Sequence, residues 1–395
     1  MKKTLAITLL AMSSAALAQQ KPPIANYWMN VETSAGMNIP GMGGMAGMMA
    51  GMMGGGQQQS GRKLSLHLGS QRPADAPSAA HDIPTGMSMG PSLPLLTPRS
   101  VPETHHSERR DHWEGSERPK GRMLIYWGCG EATRQGQPVV IDFARVGAGQ
   151  MPSGFVSRRV ATGSPPGGRT IGLWPNQQDS KTVPDAASLL GDHAIRGNYT
   201  PDIRFALSAG HDFMERVDLS SSAVGSGAMS VRWNAPTQAT GYFATVMGSA
   251  DGNDMIFWSS SEVQESGGML MDYVPPAEVA RMIRERVVLS PQTTTCIVPA
   301  EVVKKTGTPM MNFIAYGPEA NFGHPPRPQD PQWAVKVRFK STAMTMLGDE
   351  GSGGRRPQRA EPARGSSDQS AQPSAPAAPD PVKDGINLLR GIFGR

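Results

Sequence analysis

Three groups of residues in this chain have types and spacings that could do chemistry. Met42, Met45, Met48, Met49, Met52 and Met53 repeat thioethers at short intervals within 37–56, MNIPGMGGMAGMMAGMMGGG, and thioethers suit a soft ion such as Cu(I). His105, His106 and His112 lie among Glu103, Glu108, Asp111 and Glu114, and such a cluster could ligate zinc. Its spacing matches no strong metal motif, however, and Arg109-Arg110 would oppose a nearby cation, so the run also reads as a solvated loop. Cys129 and Cys296 are the only cysteines. In an oxidising compartment they invite one disulfide, with two buried thiols as the alternative. If formed, the bond closes a very long loop and is worth on the order of 5 kcal/mol on the chain-entropy argument.

The Met tract supports two other readings. Gly43, Gly47, Gly51 and Gly55 stand four apart, which on a helix makes a small-residue groove like the glycine zippers of membrane-associated or oligomerising helices. Against this, glycine opposes helix in water by roughly 1 kcal/mol per residue and Pro40 interrupts the run, so a low-complexity linker is the third reading. Three enzyme signatures are missing: there is no phosphate loop ending in Gly-Lys-Ser/Thr, no His-Glu-x-x-His and no Cys-x-x-Cys. Ser259, Ser260 and Ser261 follow Phe257-Trp258 and could form a binding rim, or Trp258 could be core and the serines a polar turn. His67 lies on a strand's polar face and reads as exposed, while His193, His211 and His324 are scattered through loops without the nucleophile or carboxylate arrangement by which an acid-base site is recognised. Asn198-Tyr199-Thr200 matches a glycosylation sequon, a weak signal behind a bacterial-looking leader. No catalytic residue and no cofactor is expected.

The elements that must position these groups begin with a leader. Lys2 and Lys3 precede an uncharged apolar run, and Ala16-Leu17-Ala18 gives the small-x-small pattern of a secretory signal peptide over 1–18. Export to the periplasm or cell exterior follows, and no Cys stands after the cleavage point to carry a lipid. Removing Lys2 and Lys3 lowers the formal charge from +5 to +3, which makes no electrostatic case for nucleic acid. With 46 Gly and 35 Pro among 395 residues, the chain is too rich in breakers to be mainly helical.

Alternation supplies the strands. Tyr27, Met29 and Val31 hint at a short one; Leu64, Leu66 and Leu68 alternate clearly against Lys63, Ser65 and His67. Met123, Ile125 and Trp127, then Val139, Ile141 and Phe143, read as a hairpin. Ile203, Phe205 and Leu207 open a second series. In it Met229, Val231 and Trp233, then Tyr242, Ala244 and Val246, then Met255 to Trp258 look like an antiparallel meander. Met311, Phe313 and Ala315 follow, and Trp333, Val335, Val337 and Phe339 close the series.

A strand ending in Trp233, a loop with Pro236, and Gly241-Tyr242 opening the next strand resemble the B to C transition of fibronectin type III and related immunoglobulin-like sandwiches. That resemblance covers about 199–346 and implies a sandwich fold, which hosts binding, adhesive and structural roles. The expected organisation is mainly β, with two β-sandwich-like units and disordered termini. Its parts are a Gly/Met-rich segment at 19–60, a first β-rich unit at 61–147, a turn-rich connection at 148–198 and a fibronectin-like unit at 199–346. The last carries a helical insertion at 275–306, where Val279, Met282, Ile283 and Val287 recur at helical spacing after Pro275-Pro276. A disordered linker at 347–381 leads to a short amphipathic helix at 382–395 with Val382, Ile386 and Leu389 on one side. Either 37–56 or 382–395 could engage a membrane or an envelope partner. The functional expectation is a non-enzymatic, exported binding or scaffolding protein. Copper handling by the Met tract and a hydrolase without a recognisable motif are the alternatives.

Overall fold

The computed structural model describes residues 21–38, 60–98, 121–147, 158–250, 253–265, 267–307, 309–326 and 330–348. The expected leader, most of the Met/Gly tract, the His105, His106 and His112 cluster and the tail from 349 onward lie outside the described residues. The fold is mainly β. Its strands are β1 (Ala25–Asn38), β2 (Gly61–Ser70), β3 (Ala79–Asp82), β4 (Ser92–Leu95), β5 (Arg122–Trp127), β6 (Val139–Asp142), β7 (Thr170–Trp174) and β8 (Gly191–Gly197). They continue as β9 (Ile203–Leu207), β10 (Leu219–Ala223), β11 (Met229–Trp233), β12 (Gly241–Ser249), β13 (Met255–Ser259), β14 (Thr295–Val298), β15 (Met310–His324) and β16 (Trp333–Met346). Among the described residues three short α-helices, α1 (Phe143–Gly147), α2 (Pro276–Arg284) and α3 (Ala300–Lys305), are inserted between them.

One nine-stranded sheet runs in the order β6-β5-β13-β12-β15-β16-β1-β2-β7. Its period-two pattern sorts side chains to two faces. The inner face carries Tyr27, Met29 and Val31 of β1, Leu64, Leu66 and Leu68 of β2, and Val335, Val337 and Phe339 of β16, all at most 5% exposed. These belong to one continuous core with residues of two smaller sheets, β4-β3-β8-β9 and β10-β11-β14. The result is a layered β structure in which both small sheets contribute to the core on the same side of the large one.

Over its middle, the opposite face is covered by α2 and the segment around it. Phe243, Ile314 and Tyr316 pack there against Leu270, Val274, Val279, Met282 and Val287. Pro276 at the helix start has no amide to waste, Glu278 in the first turn and Arg281 and Arg284 in the last complement the helix dipole, and Val279 and Met282 face the sheet. A third apolar cluster lies at the β6 edge, built from Met123, Ile125, Ile141, Phe143, Met255 and Phe257.

Several local expectations are corrected by long-range pairing. The segments 61–147 and 199–346 share the nine-stranded sheet, because β5 pairs in parallel with β13, Met123 opposite Met255. The stretch from β11 to β13 is not a single meander: β11 pairs with β10 and β14 in the small sheet, while β12 and β13 pair with each other in the large one. Trp233 and Tyr242 therefore meet across layers, rings 5.6 Å apart at 68°. The connection 148–198 contains β7 and β8, and the insertion 275–306 contains β14 between its two helices. β1 is not a short flanking strand. It spans fourteen residues and lies inside the sheet, parallel to β16 and antiparallel to β2.

Candidate functional site

The central position of β1 builds the site. Because Tyr27, Met29 and Val31 face the core, Trp28, Asn30 and Glu32 must face outward. The same alternation turns Lys336, Arg338 and Lys340 of β16, and Lys63, Ser65 and His67 of β2, to that side. Register then aligns them in rows: Lys63, Glu32 and Lys340; Ser65, Asn30 and Arg338; His67, Trp28 and Lys336. Glu319 and Asn321 of β15 extend the last two rows opposite Arg338 and Lys336. Above them, Asp272 and Tyr273 arrive from the segment preceding α2, and Thr162 and Gly163 from another loop. They enclose a groove of about 750 Å³ whose lining includes Trp28, Glu32, Lys63, Trp174, Tyr273 and Arg338.

The carboxylates here are all occupied. Glu32 accepts Thr342 Oγ1 at 2.8 Å and lies 3.3 Å from Lys340 Nζ and 3.6 Å from Lys63 Nζ. Burial works against its charge, yet the two lysines and Thr342 outweigh burial and hold its pKa below the ordinary carboxylate value. Asp272 pairs with Lys340 at 2.8 Å. Glu319 binds Lys336 at 3.1 Å and accepts the Tyr273 hydroxyl at 3.1 Å. Burial, then the Glu319 charge, pushes the Tyr273 phenol upward, so it stays a donor.

Arg338 differs. Its guanidinium carbon stands 3.6 Å from the centroid of the Trp28 ring and 5.1 Å from that of Tyr273, so the cation is held between two aromatic faces. Lys336 Nζ adds a second cation 5.6 Å from the Trp28 ring centroid. Arg338 is only 8% exposed. Nη2 donates to Thr162 O at 2.6 Å, while Nε is buried with no hydrogen-bond partner. Among the described residues no carboxylate forms an ion pair with it; Glu319 and Asp272 act only through space, and burial lowers its pKa from the ordinary arginine value. Gly163 allows the overlying loop to come this close: at φ 71°, a Cβ there would sit 3.2 Å from Trp28 and 3.4 Å from Arg338 Nη2. A desolvated guanidinium without an ion-paired carboxylate, on a residue that lines a groove, favours an anion there.

No protein-family model matches the chain, and no curated protein matches it in sequence.

The residues singled out by sequence are distributed elsewhere. Cys129 and Cys296 are joined, Sγ–Sγ 2.08 Å, linking the loop after β5 to β14 and so the large sheet to a small one. Ser259, Ser260 and Ser261 are fully buried and Trp258 is 0% exposed, so they form core and no binding rim. Trp258 Nε1 donates to Gly128 O at 3.0 Å, and Ser259 Oγ to Glu265 O at 3.1 Å. Asn198 commits both ends of its amide, to Ala76 O and to the Ser78 amide. His193, read from sequence as a scattered loop residue, lies on β8 within a buried chain. Tyr27 Oη is 2.8 Å from His81 Nδ1, His81 Nε2 is 2.9 Å from His193 Nδ1, and His193 Nε2 is 2.8 Å from Leu189 O. These histidines meet a phenol and a carbonyl, no nucleophile, and are at most 1% exposed. The groove itself went unrecognised in the sequence. Trp28 and Arg338 are 310 residues apart, and the only local hint was the run of cations on the polar face of 336–340.

Proposed function

We propose that this is an exported, non-enzymatic binding protein of the cell envelope that holds an anionic ligand in the groove of Trp28, Tyr273 and Arg338. The observation that carries this reading is the Arg338 guanidinium, buried between two rings with Nε unpartnered and no ion-paired carboxylate among the described residues. An incoming carboxylate or phosphate supplies the missing counter-charge. The aromatic rings offer flat apolar surface for a sugar or peptide backbone carrying that anion, and the surrounding cations Lys63, Lys336 and Lys340 are already neutralised, which favours one anchoring point over a diffuse basic patch. Export is supported by the leader-like 1–18 and agrees with a disulfide between layers. Among the described residues no helix is long and apolar enough to cross a membrane.

The test uses the mature full-length chain on two immobilised polysaccharides, acidic polygalacturonate and neutral dextran. Retention on the acidic polymer alone is expected, weakening with salt, and Arg338→Gln is expected to lower affinity about tenfold or more. Equal binding to dextran, or an Arg338→Gln variant that binds like the parent, would overturn the reading.

A further inference from the structure

On the same outer face, but at the other end of β16, the residues facing out of the sheet change from charged to thioether. Met247 of β12 stands opposite Met310 of β15, and Met310 opposite Met346 of β16. Met344 lies on the same face, one outward position along β16, opposite Asn312. All four are half-buried, while their strand neighbours Val246, Met311 and Thr345 are at most 4% exposed and point into the interior. A further thioether comes from above: Met271 Sδ accepts from Thr245 Oγ1 at 3.8 Å, and Thr245 pairs with Asn312 in the row of Met344. These two adjacent rows bring together Met247, Met310, Met346, Met344, Met271, Asn312 and Thr245, none of them charged.

We infer that Met310, Met344 and Met346, flanked by Met247, form a binding site for a soft monovalent ion, Cu(I) or Ag(I). Directly paired positions on one face of a sheet hold their Cβ atoms about 4.5–5.5 Å apart, and diagonal ones about 7–8 Å or less. Methionine has three rotatable bonds beyond its Cα, so sulfurs from Met310 and Met346, and diagonally Met344, can converge on one point without moving the backbone. Neutral thioethers select Cu(I) over harder divalent ions, which require carboxylate, carbonyl or water oxygens. Partial burial serves the same end: it strips competing water from one side while leaving access from the other. β1 ends beside this row, with Asn38 opposite Thr345, and leads from there into the Met/Gly tract, so the two sets of methionines must be tested separately.

The experiment is an anaerobic Cu(I) titration of the mature full-length chain in competition with a chromogenic chelator, repeated with Ag(I). One variant carries Met310→Leu, Met344→Leu and Met346→Leu; another replaces Met42, Met45, Met48, Met49, Met52 and Met53 by Leu. Leu and Met have similar volumes, so both variants are expected to fold, and urea midpoints check this. If the triple variant does not fold, Met310→Leu alone replaces it. The expected result is a tight site kept by the tract variant and weakened about a hundredfold or more in the sheet variant. A sheet variant that binds like the parent overturns the assignment, as does loss of the tight site in the tract variant or its absence from the parent. Retention on polygalacturonate is unaffected in either case, which keeps this site distinct from the groove.

Discussion

Removing the Cys129–Cys296 bond is expected to lower the unfolding free energy by about 5 kcal/mol. The sequence separation is 167 residues, so reduction frees a very long closed loop in the unfolded chain, and the gain in unfolded-state entropy is correspondingly large. The folded state changes less, because the two partners are also held by their backbones. Gly130 N donates to Ile297 O at 2.8 Å, Ala300 N to Glu131 O at 3.0 Å and Gly128 N to Ser259 O at 3.0 Å. A Cys129→Ala/Cys296→Ala chain should therefore show a native circular-dichroism spectrum and a strongly lowered urea midpoint. Reductant should lower the parent's midpoint by a similar amount and leave the variant's unchanged. A shift under about 1 kcal/mol would mean that the unfolded chain is already constrained in that region.

The second large effect is a loss of stability on mild acidification, caused by the buried Tyr27–His81–His193 chain. Leu189 O can only accept, so His193 Nε2 carries a proton. His193 Nδ1 then accepts from His81 Nε2–H, and His81 Nδ1 accepts from the Tyr27 hydroxyl. Every nitrogen is satisfied with both rings neutral, and an added proton would set two donors face to face or orphan the phenol. Burial, then the neighbouring His193, pushes the pKa of His81 well below the ordinary 6.5; burial pushes down His193 as well, against the Leu189 carbonyl and Asp192. The unfolded chain thus binds more protons below about pH 6.5, and stability falls as pH falls, by up to about 1.4 kcal/mol per pH unit for each imidazole kept neutral. Both groups act in the same direction, so the loss begins as pH falls through about 6.5 and deepens below it. Urea midpoints measured from about pH 7.5 to pH 5 should follow this slope. In His81→Leu/His193→Leu most of it should vanish, leaving the smaller contribution of His67, whose pKa burial also lowers. An unchanged slope in that variant would sink the assignment. Glu32, Asp272 and Glu319 act in a lower window: their depressed pKa values give stability that is present at neutral pH and lost only in stronger acid.

How much of this could be read in advance differs between elements. The alternation in 63–68 placed the inward leucines of β2 correctly, and 333–339 did the same for β16, because a half-buried strand writes its two faces directly into the sequence. Val279 and Met282 likewise marked the buried side of α2. Fourteen-residue β1 was underestimated, since Trp28, Asn30 and Glu32 look like ordinary outward residues until the strands beside them are known. β14, TCIV, is too short to carry a period. His193 and His81 gave no signal: a histidine satisfied by a buried partner looks the same in sequence as one in solvent.

The sequence by itself determined the mainly β character of the chain, the inward and outward sides of its longer strands, the helix after Pro275-Pro276 and the two cysteines available for one bond. Local composition and period-two or helical repeats are properties of neighbouring residues, so they survive without knowledge of the fold. The tertiary structure alone decided the partners. The parallel pairing of β1 with β16 brings Trp28 against Arg338, the register of β12, β15 and β16 sets Met247, Met310 and Met346 in one row, and the packing of β1, β3 and β8 joins Tyr27 to His81 and His193. Each of these contacts joins residues far apart in the chain, and which distant strands pair is settled by the burial of the whole inner face, a sum no single segment contains.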